Sequence, residues 1–177
     1  MTNFPLPLLG FAAYSGTGKT TLLTKLIPLL TKKGYRIGVI KHTHHNIDID
    51  KPGKDSFVLR ESGASQIVVS SRNRTAIIIE QPHKKKEPLL SDALANLQTD
   101  TLDFVLVEGF KHADFHKIEL HREALDKPLI YPNDENVIAI ALDHEIPVDE
   151  NTPTILDLNQ PQKIADFIVE KLIKKRL

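Results

Sequence analysis

The chain has 177 residues, 23 Lys+Arg balanced by 23 Asp+Glu, and no cysteine. That length suits one domain, residues 1–177, and the charge balance argues against a dedicated nucleic-acid or anionic-membrane binder. The absence of thiols excludes disulfides, thiolate metal sites and cysteine nucleophiles. Met1 to Leu9 carries no Lys or Arg, unlike a secretory leader, and no apolar run nears the roughly 20 residues that span a bilayer. A cytoplasmic protein is expected.

Short β-branched runs alternate with helical patterns along the chain, the mark of an α/β sheet. Leu6–Ala13 reads as a buried first strand, followed by a Gly-rich turn. A helix from about Thr20 to Lys33 then places Leu22, Leu23, Leu26, Ile27 and Leu30 on one face. Pro28 removes the hydrogen bond to Thr24, so a kink rather than a break is expected there. Gly34 closes the helix and Tyr35–Lys41 forms a second strand. His42–Gly53 reads as a loop and Asp55–Ser62 as a short helix. Gln66–Ser70 and Ala76–Glu80 are strands paired across a turn. Gln81–Glu87 reads as an exposed linker.

Pro88 opens a helix with Leu89, Leu90, Ala93, Leu94 and Leu97. Leu102–Val107 is nearly continuous apolar sequence, as a central parallel strand should be. Lys117–His121 alternates with period two, which suits an edge or hairpin strand and a candidate edge for pairing between copies. Asn136–Leu142 and Thr154–Leu158 are further strands. The last helix begins at Pro161, buries Ile164, Phe167, Ile168 and Leu172, and ends on Lys174-Lys175-Arg176, which suits its negative pole.

Ser15-Gly16-Thr17-Gly18-Lys19-Thr20, joining the first strand to the first helix, matches the second half of G-x-x-x-x-G-K-[ST]. Gly16 and Gly18 let the backbone curl so that successive N–H groups form an anion nest. The helix start adds its positive pole. Lys19 supplies a cation to the terminal phosphates and the Thr20 hydroxyl a ligand for Mg2+. The pattern's first glycine is replaced by Ala13, which fits if φ stays negative.

A P-loop site also needs a carboxylate near the magnesium. Asp103 begins its strand at the end away from ligand; Glu108 ends that strand on the correct side, so Glu108 is assigned to the metal directly or through water. Asp48 and Asp50, after the second strand, are candidates for holding water or metal near the γ-phosphate. Lys54, Arg72 and Arg74 are candidate phosphate contacts or surface charges. His42, His44 and His45 carry a transition-metal reading beside a hydrogen-bonding one. Lys84-Lys85-Lys86 reads as a solvated face. The base contacts are expected around Asp143.

Several stretches resemble the MobB family, the molybdopterin-guanine dinucleotide adaptor proteins. They are Phe11–Thr21, Leu26-Ile27-Pro28, Ile40–His45, Asp50–Ser56 and Val107-Glu108-Gly109-Phe110-Lys111, which together span about the first two thirds of the chain. From about Glu123 the match is in layout only. The resemblance implies a P-loop NTPase-like fold: a mostly parallel sheet flanked by helices, with an antiparallel hairpin extension. It also implies GTP binding with Mg2+, at most slow hydrolysis, a homodimer, and action beside the guanylyltransferase that joins GMP to molybdopterin. The family's phosphate-binding role falls on Ser15 through Thr21 and its acidic strand-end role on Glu108. Low catalytic demand agrees with the absence of an Asn-Lys-x-Asp box, of a clear water-orienting glutamine and of an obvious arginine finger. Two other readings are a small-molecule kinase, with Arg72, Arg74 and Lys84–Lys86 as lid charges, and a metal-delivery GTPase using the histidines.

Overall fold

The computed structural model describes residues 4–43, 47, 49–81 and 87–174. The chain divides into two compact units, one made of residues 1–42 and 89–177, the other of residues 43–88.

The larger unit is a six-stranded sheet in which every pairing is parallel. Its strands are β1 (Leu8–Ala12), β2 (Ile37–Lys41), β5 (Phe104–Glu108), β6 (Lys117–His121), β7 (Val137–Leu142) and β8 (Thr154–Asp157), in the order β2-β5-β1-β6-β7-β8. Helix α1 (Lys19–Lys32) follows β1 directly. It presents Leu22, Leu23, Leu26 and Leu30, each no more than 5% exposed, to one face of the sheet. At about 1.5–3 kcal/mol per buried leucine, these side chains anchor the helix to the sheet. The helix runs unbroken through Pro28. Helix α4 (Pro161–Ile168) packs Ile164 and Ile168 into the same core with Leu9, Phe11, Phe104, Leu106, Ile118 and Leu120. It continues in a wider π-type winding over Val169–Lys174; Lys175 and Arg176 lie outside the described residues. A Lys33–Asp166 ion pair of 2.8 Å links α1 to α4.

On the opposite face, Leu8, Val105 and Val107 meet Leu90 and Leu94 of α3 (Leu90–Leu94), together with Phe115. This helix is shorter than the leucine spacing suggests; Leu97 lies beyond its end and is partly buried against the same cluster.

The expectation for β6 is corrected: it is an interior strand, hydrogen-bonded to β1 on one side and β7 on the other, with all five residues buried. Ile118 and Leu120 join the core beside α1 and α4. The alternate residues Lys117, Glu119 and His121 find polar partners in the segment that follows. Lys117 Nζ pairs with Asp134 at 2.9 Å. The Glu119 carboxylate accepts the Ile130 and Tyr131 N–H groups at 2.7 and 2.8 Å. His121 Nε2 lies 2.7 Å from the Lys127 carbonyl oxygen. Buried polar groups persist where partners are provided, so alternation here marks two buried faces of different chemistry rather than one wet face.

The smaller unit contains α2 (Asp55–Glu61) and an antiparallel hairpin of β3 (Gln66–Ser70) and β4 (Thr75–Ile79). Val68, Ile77 and Ile79 of the hairpin are exposed, as are Val58 and Leu59 of α2. Among the described residues no helix is long and apolar enough to cross a membrane.

Candidate phosphate-binding site

The turn from β1 into α1 lies in the interior of the parallel sheet, with β5 and β6 on either side. Gly16 has φ 84° and Gly18 φ 93°, a left-handed conformation that a side chain disfavours. Ala13 keeps negative φ, since Phe110 and Asp126 alone among described non-glycine residues have positive values. Thr17 is 2% exposed and its hydroxyl donates to the Tyr14 carbonyl at 2.8 Å, closing the bend from inside. Lys19 Nζ donates to the Ala13 carbonyl at 3.3 Å, so the side chain curls back along the loop. Ser15, Gly16, Thr20 and Thr21 are exposed.

Glu108 ends β5 next to the loop-bearing strand, opposite Phe11 of β1 and Lys41 of β2 in the register. Its carboxylate, 14% exposed, lies 3.6 Å from Lys41 Nζ. The main chain turns sharply after it: Gly109 has φ 96° and Phe110 φ 52°. The His42 N–H donates to the Glu108 carbonyl at 2.8 Å, and the His42 ring rests on Phe110 at 4.6 Å between centroids. The hydroxyl of Thr20 and the carboxylate of Glu108 are hard oxygen donors suited to Mg2+. Asp103 stands at the far end of β5, where it accepts from the Arg36 N–H at 2.7 Å and from Arg36 Nη2 at 2.9 Å.

Ser15 through Thr21 and Glu108 therefore share one unit and one end of the sheet. Asp50, Lys54 and Arg74 belong to the smaller unit. Asp50 Oδ1 accepts from the Ser56 hydroxyl at 2.9 Å, Lys54 precedes the first turn of α2, and the Arg74 N–H donates to the Ser71 hydroxyl at 3.1 Å within the hairpin turn. The candidates His44, His45, Asp48 and Lys84–Lys86 lie outside the described residues. Among the described residues no group of three His, Asp or Glu is poised to hold a metal ion.

One residue beside the loop escaped sequence reasoning. Arg122, immediately after β6, donates from Nε to the Thr17 carbonyl at 2.9 Å and from Nη1 to Asp143 Oδ2 at 2.9 Å. Asp143, just past β7, also accepts from the Glu123 N–H at 3.2 Å and pairs with His144 Nδ1 at 3.1 Å. Burial alone would raise the Asp143 pKa, but the hydrogen bonds from His144, Glu123 and Arg122 outweigh it and hold the carboxyl below its usual range. The usable signal was positional: Arg122 follows the C-terminal end of a strand adjacent to β1. Reading β6 as an edge concealed it.

A left-handed glycine nest leading into a helix, inside a parallel sheet and flanked by a strand-end carboxylate, places the molecule among P-loop NTPase-like α/β proteins. Residues 8–143 match the model of the family described as MobB, molybdopterin guanine dinucleotide synthesis protein B, and the chain belongs to that family. It is 48% identical over 171 residues to the molybdopterin-guanine dinucleotide biosynthesis adapter protein of Escherichia coli strain K12, covering 96% of this chain and 95% of that protein. The adapter protein of Haemophilus influenzae is also 48% identical, over 94% of this chain and 89% of its own. The crystal structure of a MobB homolog from Bacillus stearothermophilus shares the fold, with a TM-score of 0.69 at 22% identity over 96% of this chain and 99% of that one.

Proposed function

We propose that this protein is a cytoplasmic GTP-binding adaptor in the biosynthesis of molybdopterin guanine dinucleotide, holding Mg2+-GTP on Ser15–Thr21 and assisting the guanylyltransferase. The observation that carries the reading is the pair of left-handed glycines, Gly16 and Gly18, at the entrance to α1. A bend of this kind turns backbone N–H groups toward a bound anion, at the positive pole of the helix. The Lys19 ammonium exchanges its long bond to the Ala13 carbonyl for phosphate oxygens, a stronger charge-assisted contact. Thr20 and Glu108 are the residues that would hold Mg2+, which when bound neutralises charge between the outer phosphates.

The pathway comes from the names of the relatives, and the partner enzyme and base choice from the resemblance to the family. Hydrolysis is slow at most, in keeping with the missing water-orienting glutamine. A homodimer is part of the same proposal, and the exposed apolar side chains of Val68, Ile77 and Ile79 on the hairpin are surface that a second copy would cover. Calorimetric titration with GTP and with ATP in Mg2+ tests the reading. GTP should bind more tightly with negligible turnover, and Lys19→Ala should lose that binding without losing the fold. Acceptor-stimulated consumption of ATP would replace the adaptor with a kinase.

A further inference from the structure

Arg122 grips the phosphate loop from behind. Its Nε bonds the Thr17 carbonyl at 2.9 Å, and that carbonyl shares one planar trans peptide with the Gly18 N–H, so the C=O and N–H bonds point in opposite directions. Holding the carbonyl toward Arg122 therefore aims the Gly18 N–H away from the guanidinium, to the other side of the loop. Gly18 occupies positive φ as readily as negative φ, so nothing in its own chemistry stops this peptide from turning over. A turned peptide would present a carbonyl oxygen to an anion. Arg122 is kept in place by Asp143, whose Oδ2 takes Nη1 at 2.9 Å while its Oδ1 takes the Glu123 N–H at 3.2 Å. Nη2 lies 3.8 Å from where a Cβ on Gly18 would stand, so the positive charge itself borders the loop.

We propose that Arg122, braced by Asp143, is a positioning residue that sets the Thr17–Gly18 peptide for phosphate binding, so that the end of β7 serves the phosphates rather than the base. This rests on the nucleotide-binding reading above. The same arrangement explains why a guanidinium stands there: its planar fork reaches the carbonyl and the carboxylate together, which an ammonium does not.

The test is calorimetric titration of the intact protein with Mg2+-GTP and, separately, with Mg2+ and inorganic triphosphate, which lacks base and ribose. Arg122→Ala should weaken both by about tenfold to a hundredfold, the range of one charged hydrogen bond, and by the same factor for each ligand. Arg122→Lys should recover only part of the loss. Asp143→Ala should lose less, and the double variant should bind no worse than Arg122→Ala, because both act through one contact. The Gly18 amide resonance of the ligand-free protein should shift in Arg122→Ala while circular dichroism stays unchanged. Should Arg122→Ala fail to fold, Arg122→Lys and Asp143→Ala carry the comparison. Triphosphate affinity equal to wild type in Arg122→Ala overturns the proposal, as does an Asp143→Ala variant that loses GTP but keeps triphosphate. A wild-type protein binding neither ligand sinks the nucleotide reading and this inference with it; a binding wild type with indifferent variants sinks this inference alone.

Discussion

Substituting Gly109 by alanine separates two forces at the strand end that presents Glu108. With φ at 96°, an alanine there pays left-handed strain of about 1–2 kcal/mol. Its Cβ would also stand 2.7 Å from His42 Cβ and 3.4 Å from the His42 Cα and N. His42 is poorly placed to yield, because its N–H is tied to the Glu108 carbonyl at 2.8 Å and its ring rests on Phe110. Overpacking of this kind adds about 1–3 kcal/mol. Gly34 is the internal control, since its φ is 92° and an added Cβ meets nothing within 4 Å. Equilibrium urea unfolding should therefore show Gly34→Ala losing only the strain, about 1–2 kcal/mol, and Gly109→Ala losing clearly more. Because relief must come from moving the turn after Glu108, Gly109→Ala should also weaken Mg2+-dependent GTP binding while Gly34→Ala leaves it intact. Equal stability losses in the two variants would refute the packing argument.

Three further outcomes follow from the same contacts. Glu108→Gln keeps shape but removes the charge proposed to hold Mg2+, so GTP affinity should fall in Mg2+ and stay nearly constant in EDTA; equal losses in both would make Glu108 structural. Glu119→Gln sets an amide NH2 against one of the two backbone N–H groups that the carboxylate accepts. It should destabilise the fold by about 1–3 kcal/mol in urea titrations, and a neutral result would remove Glu119 as an anchor for residues 130–131. Asp134→Ala strands Lys117, 2% exposed, without its partner and should lose about 3–5 kcal/mol at neutral pH. Burial opposes ionisation of Asp134, yet bonds from Lys117 and Asn136 prevail and hold its pKa below the ordinary carboxylate value. Its stabilisation is thus present above the ordinary, unfolded-chain value and lost as pH falls through the lower folded one. Urea midpoints measured downward from neutral pH should fall less steeply in Asp134→Ala than in wild type.

What the sequence made legible was local. The loop, α1, β2, the hairpin and the β5 strand ending in Glu108 each announce themselves within a dozen residues, through glycines, apolar runs or turn signals. β6 did not, because Lys117, Glu119 and His121 look like a solvent face until Asp134, Ile130, Tyr131 and Lys127 are brought over them. Those partners come from a segment with no regular pattern of its own. Arg122 and Thr17 are 105 residues apart in sequence, and no local rule foresees a bond between them. Pro28 reads as a kink rather than a break, and the helix does continue through it, with buried leucines on both sides of the proline.

A crystal of the protein grown with GTP and Mg2+ decides whether the bend between β1 and α1 holds the nucleotide. The triphosphate should lie against the amides of residues 15–21, with Lys19 Nζ moved from the Ala13 carbonyl onto phosphate oxygens. A nucleotide bound elsewhere, with that bend empty and Lys19 still on Ala13, would contradict it.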